Sequence, residues 1–292
     1  MTTALAPTPS HMIGQLLESP EEGSIPLPCR AESCAGSCRW LISLDYDGTL
    51  RQEGEHSVQA DFFELMHQWR PLGIRWGINT GRSLHKLSGE LAHFPCMPDF
   101  ICTCERYAYL ADEHGLLHPA TTHNARCYKA NMELRAILST AWQKELESLR
   151  RRLPHCQWQL AVDDPLSIEA EDSATMDRLM PYLLPFAGES VAIQRAGRFM
   201  RLSDARYTKG SALRCVQQAW QVQESHLFLM GDGHNDIDAF RHFPLAWCAA
   251  PATAHQDVID WLQTHGGYIS PKVGVMDALR RWQQQQAGFA PC

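Results

Sequence analysis

The 292-residue chain has no uncharged apolar run near the roughly 18 residues that span a bilayer as a helix. That absence removes a membrane-helix reading. It has no excess of basic charge either: 26 Lys and Arg stand against 33 Asp and Glu, a formal net charge of −7. A global acidic balance argues against general binding to nucleic acid or to anionic membranes. The 11 cysteines include no paired C-x-x-C knuckles, so a zinc framework lacks its usual spacing. Their number is odd and their spacing scattered, and a chain of this length needs no disulfides in place of a core. No internal repeat is visible, and low complexity is confined to Gln283–Gln286. No Lys or Arg precedes Arg30, no secretory apolar core opens the chain, and Glu18, Glu21 and Glu22 argue against a transit peptide. We expect a reducing, cytoplasmic setting with free thiols.

What is present is an ordinary globular balance, 45% apolar and 20% charged. The length suits one large domain or two small ones. Residues 1–38 are rich in Pro, Ser and Glu. Pro7, Pro9, Pro20, Pro26 and Pro28 interrupt any long helix there. The segment reads as a flexible or loosely packed extension, with Cys29, Cys34 and Cys38 as unpaired thiols.

From Trp40 onward the pattern changes. Trp40–Leu44 is a short apolar run that stops at Asp45, as a buried strand would. Gln59–Trp69 carries Phe62, Met66 and Trp69 at helical spacing. Ile74–Ile78 reads as a second strand, Ser83–Leu91 as a helix, and Phe100–Thr103 as a third strand. Such alternation predicts a parallel sheet with crossover helices. It resumes with a helix over Lys209–Trp220, a strand over Leu227–Met230, a short helix over Asn235–His242 and a strand over Leu245–Ala249. Between the halves, residues 119–196 read as a separate α/β insertion. Its helices are predicted over Asn131–Leu149 and Ala174–Leu184, and its strands near Trp158–Val162, Ser167–Ala170 and Val191–Arg195. The expected division is therefore an extension over 1–38, a core over 39–118 and 197–292, and an inserted unit over 119–196.

Four polar clusters fall at strand ends or helix starts, on the edge where open α/β sheets bind ligands. Asp45-Tyr46-Asp47-Gly48-Thr49-Leu50 sends two carboxylates off one strand together. One carboxylate can act as a covalent nucleophile and the other can shuttle a proton. Asn79-Thr80-Gly81-Arg82-Ser83 offers the Thr80 hydroxyl, with the Gly81 and Arg82 amides opening a helix and favouring an anion. Lys209-Gly210-Ser211 places a point charge at another helix start, suited to phosphate oxygens. Gly231-Asp232-Gly233-His234-Asn235-Asp236 presents two carboxylates on a glycine-rich loop, suited to a hard cation. Alone, each has an ordinary reading: a turn, a strand–helix junction, a solvated surface pair, or a structural or calcium loop. Together and in this order, a nucleophile pair, a hydroxyl, a lysine and a cation pair outweigh those ordinary readings, because unrelated surface clusters have no reason to converge on one edge.

The four segments resemble the four motifs of the haloacid dehalogenase superfamily of phosphohydrolases. The resemblance covers most of residues 40–282, and the insertion between the second and third motifs matches the subgroup with a large α/β cap. It implies a Rossmann-like core and the following roles. Asp45 would attack phosphorus and bind magnesium. Asp47 would be the acid/base and lend its carbonyl to the metal. Thr80 and Lys209 would hold the transferring phosphoryl oxygens, beside the amides of Gly81 and Arg82. Asp232 and Asp236 would complete the Mg2+ site, and Asn235 would orient Lys209 or a phosphate oxygen. The implied substrate is a small phosphorylated metabolite, with sugar phosphates favoured by the cap type. A phosphosugar mutase shares these motifs; a non-catalytic sugar-phosphate-binding protein on a retained fold is the other alternative, against which the intact acid and lysine set argues. One departure stands out: Thr103-Cys104-Glu105-Arg106-Tyr107-Ala108 replaces an Asn-Gly-Ala segment common in the subgroup. His234 reads as a solvated loop histidine, and Cys96, Cys102 and Cys104 as small packing residues. The triplet Arg150-Arg151-Arg152 reads as a favourable end to a helix.

Overall fold

The computed structural model describes residues 38–286 except 53, 56, 142, 153–155 and 160–164. The extension over 1–37, with Cys29 and Cys34, lies outside the described residues. The strands are β1 (Trp40–Leu44), β2 (Ile74–Asn79), β3 (Phe100–Thr103), β4 (Tyr107–Ala111), β5 (Leu117–Pro119), β6 (Gln157–Gln159), β7 (Leu166–Glu169), β8 (Val191–Ala196), β9 (Phe199–Asp204), β10 (Leu227–Met230), β11 (Trp247–Pro251) and β12 (Tyr268–Ser270). The helices are α1 (Ala60–Trp69), α2 (Leu84–Leu91), α3 (Thr121–Ala141), α4 (Gln143–Arg152), α5 (Ser173–Leu183), α6 (Lys209–Ala219), α7 (Asp236–His242), α8 (Gln256–His265) and α9 (Met276–Gln285).

Eight strands form the core sheet in the order β12-β11-β10-β1-β2-β3-β4-β5. All pairings from β12 to β3 are parallel, and only β3–β4 and β4–β5 are antiparallel. The residues dictate this arrangement. In β1 every residue is buried, with Ile42 and Leu44 turned to one apolar layer and Leu41 to the other. A strand buried on both faces needs helices on both. Phe62, Leu87 and Trp282 cover one side from α1, α2 and α9, and Leu213, Phe240 and Val258 cover the other from α6, α7 and α8. Each such side chain contributes about 1.5–3 kcal/mol by leaving water. Because β1 sits between β2 and β10, the sheet changes winding direction there, and a crevice opens at the carboxyl ends of these strands.

The insertion builds its own four-stranded antiparallel sheet, β6-β7-β9-β8, over a third apolar cluster with α3 and α5. Four local expectations change. β9 pairs with both β7 and β8, so the inserted sheet runs past residue 196 to Asp204. Gly197 (φ +54°) lies in the connection between β8 and β9, just past the expected end of the insertion. Helix α3 begins at Thr121, ten residues before the expected start. Its first turns lack an apolar stripe because Asn124 and Asn131 are brackets. The Asn124 side chain bonds Ala108 N and O at 2.9 and 3.0 Å, and Asn131 Oδ1 accepts from Asp204 N at 3.0 Å. Next, β11 begins at Trp247 rather than Leu245, whose side chain is exposed. The expected strand over Trp158–Val162 is seen as Gln157–Gln159, and the residues beyond lie outside the described ones.

The described cysteines form no disulfide. Among the described residues no helix is long and apolar enough to cross a membrane.

Candidate active site

Three adjacent parallel strands deliver the site. Asp45 follows β1, Asp232 lies two residues past β10, and Thr80 follows β2. The chain leaves β1 still in register, with Asp45 N donating to Met230 O at 2.9 Å. Gly48 then turns the loop at φ +82°, where a side chain would be strained. Space forbids one as well, since a Cβ there would lie 2.3 Å from Asp232 Oδ2. Gly48 therefore lets the first and fourth clusters touch. Thr49 Oγ1 completes that contact by donating to Asp232 Oδ1 at 2.7 Å.

Lys209 arrives as the first residue of α6. Thr208 caps that helix, and a reciprocal capping box with Ser211 fixes its start. Two further contacts hold the turn: Gly210 N donates to Asp238 Oδ2 at 2.7 Å, and Asn79 Nδ2 to Lys209 O at 3.1 Å. The side chain is buried, with Nζ 2.6 Å from Asp45 Oδ1 and 2.6 Å from Asp236 Oδ1. Carboxylate oxygens of Asp45, Asp232 and Asp236 lie within 4.8 Å of one another.

Three acids against one lysine in a buried crevice leave uncompensated negative charge. Burial pushes the Asp45 carboxyl well above the usual range, Lys209 opposes this, and Asp236 and Asp232 add to it. Asp232 is pushed up to about 7 by burial and by Asp236, despite the Thr49 hydroxyl. Burial pushes the Lys209 ammonium down, but Asp236 and Asp45 outweigh it and the net direction is up. Lys209 therefore stays charged. These all-oxygen donors suit a hard divalent cation, and the raised carboxyls mark where positive charge is missing.

Asp47 has the opposite surroundings. Its side chain is 47% exposed and two arginines hold it. Arg82 Nε and Nη2 donate to its two oxygens at 2.6 and 2.8 Å, and Arg51 Nη2 donates at 2.5 Å. Burial pushes this carboxyl up, but the hydrogen bonds from Arg82 and Arg51 outweigh it and hold it below its usual range. Both guanidinium groups lie over the Tyr46 ring, 5.4 and 5.0 Å from its centroid, and reach toward Glu90.

The structure thus brings Asp45, Lys209, Asp232 and Asp236 into contact, and places Thr80 at the next strand end. Thr80 Oγ1 accepts from Arg82 N at 3.2 Å. Gly81 lies against Glu105: a Cβ on it would sit 3.2 Å from Glu105 Oε1. Two of these side chains have partners that the motifs did not suggest. The Arg82 guanidinium meets Asp47. The Asn235 side chain meets Glu105, with Nδ2 donating to Oε1 at 2.7 Å, rather than Lys209. His234 is only partly solvated: it packs on His255 (ring centroids 4.5 Å apart), with Nε2 3.0 Å from Asp257 Oδ2. Sequence reasoning missed Arg51, Asn79, Asp238 and the fully buried Glu105. Arg51 lies four residues from Asp47 and Asn79 beside Thr80 in the second cluster, so these two carried a local signal.

A sequence model described as haloacid dehalogenase-like hydrolase matches residues 109–259, just over half of the chain. That span includes Lys209, Asp232 and Asp236. No curated protein sequence matches. Among solved structures, the chain resembles a Synechocystis sucrose-phosphatase in complex with sucrose and phosphate, at TM-score 0.61 and 19% identity, over 85% of this chain and 98% of that one. It also resembles a haloacid dehalogenase-like hydrolase protein from Bacillus subtilis, at TM-score 0.57 and 14% identity, over 95% and 100% of the two chains. A third is a subclass IIB sugar phosphatase, at TM-score 0.52 and 16% identity, over 84% and 98%. At these identities the structural matches speak for the fold.

Proposed function

The chain belongs to the haloacid dehalogenase-like hydrolases, and from that premise we propose that it hydrolyses a small phosphomonoester, a sugar phosphate, in two steps at Asp45. The observation that carries this reading is the buried Lys209, bridging Asp45 and Asp236 beside Asp232 at the switch point of the sheet.

In the first step an Asp45 carboxylate oxygen attacks phosphorus and the bond to the leaving oxygen breaks. Asp47 supplies the proton that this oxygen takes up. In the second, Asp47 takes a proton from water, the water oxygen attacks phosphorus, and the aspartyl-phosphate bond breaks to return Asp45 and free phosphate. Lys209 and Thr80 neutralise and orient the equatorial oxygens throughout. Asp45, Asp232, Asp236 and the Asp47 carbonyl would hold Mg2+. Bound there, magnesium supplies positive charge that offsets repulsion between the Asp45 carboxylate and the phosphate dianion. Before donating a proton, Asp47 must loosen from Arg82 and Arg51, whose grip favours its ionised form.

The cap supports the substrate class. Ser167, Gln194 and Ser203 project from the face of its sheet opposite the apolar cluster, and all three are buried. A buried polar face matches a polyhydroxylated leaving group better than an apolar one. The test is phosphate release from a panel of sugar phosphates, with magnesium and with chelator. Release that needs magnesium and prefers a sugar phosphate over an aryl phosphate is expected. Chelator-insensitive release, or none from the panel, would overturn the reading.

A further inference from the structure

We infer that Glu105 is a positioning residue that ties the cap to Asn235 in the fourth cluster; this rests on the reading above and deepens it. The turn after β3 puts two consecutive non-glycine residues in the left-handed region, Cys104 at φ +50° and Glu105 at φ +62°. Residues with side chains occupy that region only where their surroundings compel it. The compulsion is visible. Cys104 N donates to Arg82 O at 2.9 Å, Glu105 N to Thr80 O at 3.1 Å, and Arg106 N to Thr103 O at 3.0 Å. The strained turn is stitched to the loop that carries Thr80.

Glycine would relieve this backbone, yet position 105 holds a glutamate. Its carboxylate is fully buried and reaches two partners distant in sequence. Oε1 accepts from Asn235 Nδ2 at 2.7 Å. Oε2 lies 3.7 Å from Arg201 Nη1 on cap strand β9, and that nitrogen donates to Cys104 O at 2.9 Å. The neighbouring cap strand closes the loop from the other side: Asn235 N donates to Arg195 O at 3.1 Å. Asn235 is therefore held twice, through its amide side chain by Glu105 and through its main chain by β8. Arg195 and Arg201 lie on paired strands, so the cap cannot swing away without pulling on both contacts. The glutamate charge serves the cap end, and its acceptor oxygen serves the catalytic end.

Three variants separate these ends. Glu105→Gln keeps an acceptor for Asn235 but removes the charge facing Arg201. Arg201→Met removes the cap end alone, and Glu105→Ala removes both. Once wild-type protein is seen to release phosphate, KM and kcat are measured for its best substrate. Expected is a rise in KM of about tenfold in Glu105→Gln and in Arg201→Met, the loss of one charge-assisted contact, with a smaller change in kcat. The double variant should be no worse than either single. Glu105→Ala should lower kcat as well. Hydrogen exchange gives a readout independent of turnover: the segment containing Asn235 should exchange faster in all three variants, while β1 and β10 stay protected. KM at the wild-type value in both single variants, losses that multiply in the double, or faster exchange spread evenly over the core would overturn the inference. If wild-type protein releases no phosphate, the proposed function fails, and the exchange pattern still decides whether Glu105 couples cap and core.

Discussion

Asp45 and Asp47 stand two residues apart on one loop and occupy opposite environments. The first is buried against Lys209 with its carboxyl pushed up; the second is half exposed between Arg82 and Arg51 with its carboxyl held down. The residue types alone do not distinguish these two acids; the motif resemblance gives them different roles, and the structure gives them different surroundings. The fold shields one from water against Lys209 and holds the other between two arginines, so in the proposed mechanism the second must let go of them before it carries a proton. Environment, not residue type, divides the labour between a pair of carboxylates.

The largest effects should come from removing these acids. Asp45→Asn is expected to cut turnover by about 10^4-fold or more, as loss of a nucleophile does, with the circular dichroism spectrum unchanged. Asp47→Asn should cost about 10^2- to 10^4-fold, the usual contribution of a general acid–base. If the two variants were equally mild, the contrast between the two acids would carry no mechanism.

Next in size is the arginine grip. Arg82→Gln removes the paired hydrogen bonds that lower the Asp47 carboxyl, so its pKa should rise. The phosphorylation step needs Asp47 protonated, so the alkaline limb of the kcat/KM profile should move to higher pH. An unmoved limb with a raised KM would instead assign Arg82 to substrate phosphate.

The smallest effect concerns the buried end. The folded-state pKa of Asp232 is raised from 3.8 to about 7, so the folded chain binds more protons than the unfolded one in that window. This group therefore favours folding at low pH, and its contribution is lost as pH rises from about 4 through about 7. Without a divalent cation, the Tm of wild-type protein should fall relative to Asp232→Asn between pH 5 and pH 8. Magnesium at a hundredfold excess over Kd should restore about 5–10 °C at pH 8 and less at pH 5. A cation response independent of pH would place binding away from these carboxylates.

Much of the fold was legible because buried parallel strands announce themselves. Trp40–Leu44, Phe100–Thr103 and Leu227–Met230 are short, mostly apolar runs, the first cut off at Asp45 and the last at Gly231, and the structure keeps those bounds. β9 hid because Arg201 and Ser203 alternate with Met200 and Leu202, a pattern whose polar half gains meaning only against the core. Helix α3 hid for a related reason, since Asn124 bonds β4 and Asn131 bonds β9, far along the chain. At the site, cluster order foretold the meeting of Asp45, Lys209, Asp232 and Asp236. It could not foretell Glu105, whose partners Arg201 and Asn235 lie about 100 residues or more away. Nor could it show that Arg82 turns to Asp47.

The most direct test of the account is to mix enzyme and substrate, quench in acid within the first turnovers, and weigh the peptides. A phosphoryl group on the peptide carrying Asp45, absent in Asp45→Asn, is the predicted result. Phosphate release that persists in Asp45→Asn, or a phosphoryl group on another residue, would contradict it.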